Sequence, residues 1–247
     1  MSYNEFARVY DFLTINVDYK ARAAYLLSLF EQYDKRPELL LDMACGTAGF
    51  SIMFAKENIE VIGVDPSCAM LSVAQKKILE AQENVLLLCQ KASELELYGT
   101  VDGAICCLDS LNHITDYDEL LASFKRISLF LEPQRLFVFD LNTVYKHEKI
   151  LSGQTFVYDT DEVYCVWQNS ECDKNGLINI DLDFFVSDEQ NLFSRSSESF
   201  CERAYTKEQI SSCLKKSGLK IVAVLGDMSY TQPSEIQERV IYVTRKV

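Results

Sequence analysis

Five short apolar runs punctuate the first 142 residues, and stretches with helical spacing lie between them. The runs are "LLLDMA" leading into Gly46, "EVIGVD" (60–65), "NVLLLCQ" (84–90), "VDGAICCLDS" (101–110) and "RLFVFDLN" (135–142). Continuous apolar runs of this length suit strands buried on both faces. The intervening stretches are "FSIMFAKEN", "CAMLSVAQKKILEAQ" and "DYDELLASFKRISLFLEP" (116–133). Ahead of them, residues 19–33 place Tyr25, Leu26, Leu29, Phe30 and Tyr33 on one helical face. Strands alternating with helices require right-handed crossovers, so the first part is an α/β unit with a parallel sheet covered on both sides. Ligands bind such sheets beyond the carboxyl ends of the strands. Asp42, Asp65, Asp109 and Asp140 all fall near strand ends, along one rim.

The pattern changes after about residue 145. "EVYCVWQNSEC", "LINIDLDFFV" and "LFSRSSESFCERAY" follow one another with no helix between them. In the second, Ile178, Ile180, Leu182 and Phe184 alternate with Asn179, Asp181 and Asp183, the period of a sheet with one wet face. Asn175-Gly176 is a hairpin signal. Residues 145–204 are therefore expected to form a small inserted antiparallel β-sheet subdomain, with 1–144 and 205–247 as the main domain. "YTKEQISSCLKKSGL" returns to a helix, with Thr206 and Gln209 as a capping box and Gly218 at its end. "KIVAVLGDM" and "RVIYVTRKV" close the main sheet at seven strands, joined by a polar segment containing Pro233.

The formal net charge of −13 disfavours a nucleic-acid partner, whose phosphates call for a basic face. Its long-range field favours a cationic ligand. Nine cysteines, with no C-x-x-C spacing and mostly in apolar runs such as "AICCL", read as buried reduced thiols. With two histidines in the chain, no zinc site is expected. The start lacks a signal peptide and no run is long enough to span a membrane, so a cytoplasmic protein is expected.

"LDMACGTAGF" (41–50) can be read two ways. As Ala44-x-Gly46-x-x-Gly49 it is a dinucleotide fingerprint with alanine in place of its first glycine. As Asp42-x-x-Cys45-Gly46-Thr47 it looks like a loop that cradles S-adenosylmethionine. A dinucleotide brings a pyrophosphate, whereas S-adenosylmethionine brings a sulfonium and no phosphate. Asp42 can meet that cation. Asp65, 19 residues beyond Gly46, suits a ribose diol in either cofactor.

With "FARVYD", "LDMACGTAGF", "VIGVDPSCAMLSVAQ", "CCLDSLNHI" and "LFVFDLN" in place, the chain resembles a class I S-adenosylmethionine-dependent methyltransferase. It looks most like small bacterial members with an inserted antiparallel sheet, similar to sugar-amine N-methyltransferases. The resemblance implies a Rossmann-like seven-stranded sheet. It assigns Asp42, Ala44, Cys45 and Gly46 to the cofactor loop, Asp65 to the ribose, and Pro66 and Met70 to the adenine. Gln90, Lys91 and Ala92 would reach the adenine edge, and Leu108 and Asp109 would flank ribose and methionine. Tyr10 and Tyr19 match tyrosines that cap the site. Two departures stand out. Ala44 and Ala48 occupy positions more often glycine, which is tolerable where φ stays negative. Lys91 replaces a more usual acid and cannot accept a hydrogen bond.

Methyl transfer is an in-line displacement that needs a base only when the nucleophile arrives protonated. His113, just past the fourth strand, is the candidate base, and Tyr10 could orient an amine or cover the sulfonium. Asp140 and Asn142 could bind an acceptor or merely shape a loop, and Tyr205 faces the same rim in principle. His147 lies in a linker, "YKHEKI", and should be solvated. The [DN]-P-P-[YFW] motif of nucleic-acid amino-methylating enzymes is missing, its place reading "LDSLNHI". Trp167, Tyr158, Tyr164, Phe184 and Phe185 suit a satellite core, a homodimer interface or a lid. The expected function is methyl transfer to a small-molecule acceptor, at nitrogen rather than carbon. A non-catalytic cofactor-binding protein is the alternative, with a nucleic-acid methyltransferase or NAD-dependent oxidoreductase behind it.

Overall fold

The computed structural model describes residues 6–160, 163–187 and 192–247. The five apolar runs form β1 (Leu39–Met43), β2 (Glu60–Asp65), β3 (Val85–Cys89), β4 (Gly103–Cys106) and β5 (Leu136–Asn142). All pair in parallel, with β1 between β2 and β4, β3 outside β2, and β5 outside β4. β10 (Leu219–Gly226) and β11 (Arg239–Lys246) form an antiparallel hairpin. β11 enters between β5 and β10, so the sheet order is β10-β11-β5-β4-β1-β2-β3. With β11 in place, β5 is buried along its whole length.

Strand alternation divides the core between two faces. Leu40 and Val138 face one way, against α2 (Tyr19–Tyr33), α3 (Gly49–Lys56) and the inner side of α4 (Cys68–Ala81). Leu41, Phe137 and Phe139 face the other way, against α5 (Tyr117–Phe130) and α6 (Lys207–Lys216). Caps fix where these helices begin. Ser67 and Asp116 accept N–H bonds from the first turns of α4 and α5, and Thr206 and Gln209 cap α6 reciprocally. Gly218 follows α6 at φ +72°, the left-handed position that ends many helices. α5 stops short of Pro133 because Leu131 turns extended and bridges to Val101.

A second sheet is antiparallel, with strands β6 (Thr155–Asp159), β7 (Val163–Asn169), β8 (Leu177–Ser187) and β9 (Phe193–Arg203) in chain order. Ile178, Ile180, Leu182 and Phe184 are buried on one face of β8, while Asp181 is exposed on the other. The N-terminal helix α1 (Phe6–Leu13) packs on that buried face. Val9 joins its core, and the Phe6 ring lies 6.0 Å from Phe184 and 6.2 Å from Phe200. A π-helical turn, Lys146–Leu151, connects the two sheets where the sequence pattern offered no helix.

Three expectations change here. Ala44 and Ala48 do not keep negative φ; they sit at +58° and +64°. The loop after β1 is pulled tight by hydrogen bonds across to β2, and this geometry overrides the preference of L-residues. His147 is not solvated. It is 0% exposed, because the π-helical turn rotates it inward, where Nδ1 contacts the Gly176 carbonyl at 3.1 Å. Cys68 and Cys89 are not free thiols but form a disulfide. The first residue of α4 and the last of β3 stand 5.9 Å apart at Cα, within the reach of that bond. The remaining seven cysteines are free.

A left-handed alanine costs about 1–2 kcal/mol that glycine avoids, partly offset by glycine's greater freedom when unfolded. Ala44 is partly exposed, so Ala44→Gly should stabilise the protein by about 0.5–1 kcal/mol and raise Tm by roughly 1–4 °C. The Ala48 methyl is fully buried, and its loss should cancel the gain in Ala48→Gly. Thermal unfolding of both variants checks this, and a destabilised Ala44→Gly protein would contradict it.

Candidate active site

The cleft is built around Asp65, the last residue of β2. Its Oδ2 accepts the Gly46 N–H at 2.9 Å and its Oδ1 accepts the Ser67 N–H at 2.8 Å. One carboxylate thus ties the loop after β1 to the start of α4. Cys45 N–H donates to the Val64 carbonyl at 3.0 Å, which lays the loop over the end of β2. Gly49 lies beneath the Tyr19 ring, where a Cβ would come within 2.5 Å of a ring carbon. A side chain there would lift Tyr19 off the loop.

Tyr10, Tyr19, Asp42, Ala44, Cys45, Gly46 and Leu108 line one cleft, together with Thr47, Phe50, Cys107 and Ser110. These seven expected residues come from four separate segments. α1 is strapped over the loop: Thr47 Oγ1 donates to Asp11 at 2.8 Å, and Lys77 Nζ reaches the same carboxylate at 2.7 Å. The residues expected around adenine lie further along the same rim, outside the cleft lining. Met70 is buried in the first turn of α4 and Pro66 is exposed. Lys91 and Ala92 open a short 3₁₀ turn. The Gln90 side chain is engaged at both ends by the Glu96 backbone, at 2.8 and 3.3 Å.

The electrostatics are one-sided. Asp42 is 2% exposed, and burial pushes its carboxyl up to about 7, against the opposing hydrogen bond from Ser51 Oγ. Burial also raises Asp65, although the Ser67 and Gly46 N–H groups work in the other direction. Burial likewise lifts the Tyr10 phenol, reinforced by Tyr19 and Asp109. No Lys, Arg or His is among the lining residues. Among the described residues, the nearest cation to the lining is Lys77, whose Nζ lies 3.1 Å from Thr47 Oγ1 and is paired with Asp11.

A second polar group lies at the ends of β4 and β5. Burial alone would raise Asp109, but Arg239, Lys146 and His113 together hold it well below the usual carboxylate range. Arg239 Nη2 reaches Asp109 at 2.9 Å and Nη1 reaches Asp140 at 2.6 Å. Asn142 Nδ2 donates to the other Asp109 oxygen at 2.7 Å, and Lys146 Nζ donates to Asn142 Oδ1 at 3.0 Å. The His113 ring lies 5.0 Å from that of Phe200, tilted by 38°, with its Nε2 3.6 Å from Glu202. His147 faces the other oxygen of Glu202, also at 3.6 Å. Both histidines of the chain thus share one glutamate that is 3% exposed. The Tyr205 hydroxyl does not face this group; it donates to the Ile114 carbonyl. Glu202 and Arg239 escaped the sequence reading, since each arrives from a distant strand and lies in no motif.

A family model described as "Methyltransferase domain" matches residues 40–134. A solved S-adenosylmethionine-dependent methyltransferase from Clostridium acetobutylicum is 33% identical, covering 98% of each chain with a TM-score of 0.89. The chain belongs to the S-adenosylmethionine-dependent methyltransferases. This makes S-adenosylmethionine the cofactor. Two more distant structures share the methyltransferase fold. One is an amino pentose methyltransferase from Micromonospora echinaspora with its methyl donor bound, 18% identical over 96% of this chain and 94% of that one, TM-score 0.76. The other is a sugar N-methyltransferase from Streptoalloteichus sp., 17% identical over 94% and 90%, also with TM-score 0.76. Among the described residues, no cluster could hold a metal ion and no helix is long and apolar enough to cross a membrane.

The raised Asp42 makes stability depend on pH in a defined direction. Between about pH 4 and 7 the folded methyltransferase retains a proton that the unfolded chain has released. Its stability must therefore fall as pH rises through that window, by on the order of 4 kcal/mol from this group. Asp42→Asn should remove that decline and exceed the wild type in stability at pH 8 while matching it near pH 4. Urea unfolding across this range decides it, and parallel curves for the two proteins would refute the assignment.

Proposed function

We propose that this enzyme transfers the methyl group of S-adenosylmethionine to a nitrogen of a small-molecule acceptor. The observation that carries the reading is the acidic cleft beneath Tyr10 and Tyr19, beside a polar group built on His113, Asp109 and Asn142. In this reading Asp42, Ala44, Cys45 and Gly46 hold the amino-acid and sulfonium part of the cofactor, and Asp65 takes the ribose. Both Asp65 oxygens already accept one backbone N–H, and each retains a lone pair for a hydroxyl. Leu108 closes the inner wall, and Tyr10 and Tyr19 cover the opening. Pro66, Met70, Gln90, Lys91 and Ala92 form the adenine end. With its amide held by Glu96, Gln90 shapes that end through its backbone.

The bound cofactor supplies an electrophilic methyl carbon whose sulfur leaves with the bonding pair. The chain's task is to exclude water, align the acceptor and remove a proton if the nucleophile carries one. His113 is the proposed base, with Glu202 behind it to hold the imidazole and balance the charge it gains. Tyr10 orients the incoming amine. Residues 145–204 serve as the far wall of the acceptor site, because β9 supplies Phe200 and Glu202 and α1 packs on the same sheet. Nitrogen is favoured because one protein of this fold is named a sugar N-methyltransferase and another an amino pentose methyltransferase. An acidic, aromatic surround also suits an amine better than an anionic acceptor.

Calorimetric titration with S-adenosylmethionine, and separately with NAD, tests the cofactor half. Only the first should bind, and Asp65→Ala should weaken it about 10- to 150-fold, the worth of charged hydrogen bonds. An unchanged affinity would remove Asp65 from the site. For the acceptor half, a panel of amino sugars and their hydroxyl counterparts should show turnover on amines. His113→Gln should then lower kcat by about 10²-fold or more, with the largest loss for amines that arrive protonated. A loss confined to KM would reassign His113 to binding.

A further inference from the structure

Leu108 and Asp109 are consecutive non-glycine residues with φ +55°, separated from the end of β4 by one residue. Single left-handed residues occur in turns, but two in succession, one of them leucine, persist only where the surroundings impose them. The imposing groups are identifiable. Asp140 Oδ2 accepts the Leu108 N–H at 2.8 Å and Asp140 Oδ1 accepts the Asp109 N–H at 2.7 Å. Asp140 is 4% exposed and is itself held by Arg239 Nη1, whose other arm grips the Asp109 carboxylate. The clamp therefore holds the loop by backbone and side chain together, from two neighbouring strands. Burial alone would make Arg239 easier to deprotonate, but Asp109 and Asp140 more than reverse that, so the guanidinium stays charged.

The placement of this loop gives the clamp its meaning. Leu108 faces the cleft that also holds Asp42 and Gly46. The Asp109 carboxylate is engaged by Asn142 and Arg239. Leu108 and Asp109 thus form the partition between the cofactor cleft and the acceptor side. If their φ angles relaxed to negative values, the Leu108 side chain would swing off its present line.

We propose that Asp140 and Arg239 are positioning residues for methyl transfer, acting through the left-handed Leu108–Asp109 backbone to set the wall between methyl donor and acceptor. The proposal rests on reading the cleft as the cofactor site. Neither residue touches the donor; each works by making one loop conformation the only one available. Asp140 thereby takes the loop-shaping alternative left open by the sequence, with a consequence for the site.

The test is a double-mutant cycle on cofactor affinity, measured by calorimetry with S-adenosylmethionine on the full chain. Circular dichroism is used to choose a temperature at which every variant is folded. Asp140→Asn should weaken binding about ten- to hundredfold, because it puts an amide against the N–H groups it must accept. Leu108→Gly removes the side chain but takes the left-handed conformation without a clamp. The double variant should therefore bind no worse than Leu108→Gly alone. Losses that multiply in the double variant, or an Asp140→Asn protein that binds like the wild type, would overturn the proposal. Arg239→Lys gives a milder check that keeps the charge but loses the two-armed grip. It should weaken binding several-fold, and glycine at position 108 should again absorb the loss; multiplying losses in that pair would also overturn the clamp. Failure of the wild type to bind would instead strike the cofactor reading of the cleft, and the proposal with it.

Discussion

The Asp65 carboxylate is the hinge pin of the site. It accepts two backbone N–H groups from different segments, the loop after β1 and the start of α4. With those donors satisfied, the loop can be short and left-handed at Ala44, Gly46 and Ala48. The cleft floor follows from that tightness, and Tyr19 can settle on Gly49 because the floor is flat there. Burial of the carboxylate is tolerated because the ends of two elements supply their unpaired donors to it.

The polar group around Asp109 works by a different principle, the mutual neutralisation of buried charge. Asp109 and Asp140 would be untenable without Arg239, and Arg239 would be untenable without them. Glu202 lies 3.6 Å from each of two imidazoles, those of His113 and His147. Such arrangements are poor sources of net stability, since desolvation consumes most of the attraction, but they hold groups in fixed relation. A reaction that requires its two partners to be aligned gains more from that rigidity than from added stability.

Much of this was written in the sequence. Apolar runs ending in aspartate named the strands and the rim, and alternating residues in β8 named the wet face of the second sheet. The loop at 41–50 was recognisable, but its backbone was not, because an alanine carries no mark of the φ that distant hydrogen bonds will impose on it. His147 sits among Lys146, Glu148 and Lys149 and reads as linker. It is buried only because a π-helical turn brings it against Gly176 and against Glu202, 55 residues downstream in the chain. Cys68 and Cys89 are 21 residues apart, and only the pairing of β2 with β3 brings them together. Glu202 and Arg239 belong to the same class: contacts made by topology leave no local signature.

The entry of β11 between β5 and β10 also bears on how the chain must be made. Every residue of β5 is apolar or buried, yet one edge of it finds no partner until residues 239–246 have been synthesised, about a hundred residues later. During that interval a largely apolar strand edge is open to any other extended chain nearby. The strand of this sheet that comes latest in the sequence is therefore the one that covers β5, and the arginine that begins it is the one that holds Asp109 and Asp140. Until that strand arrives, a nascent chain is both at its most adhesive and without a finished site.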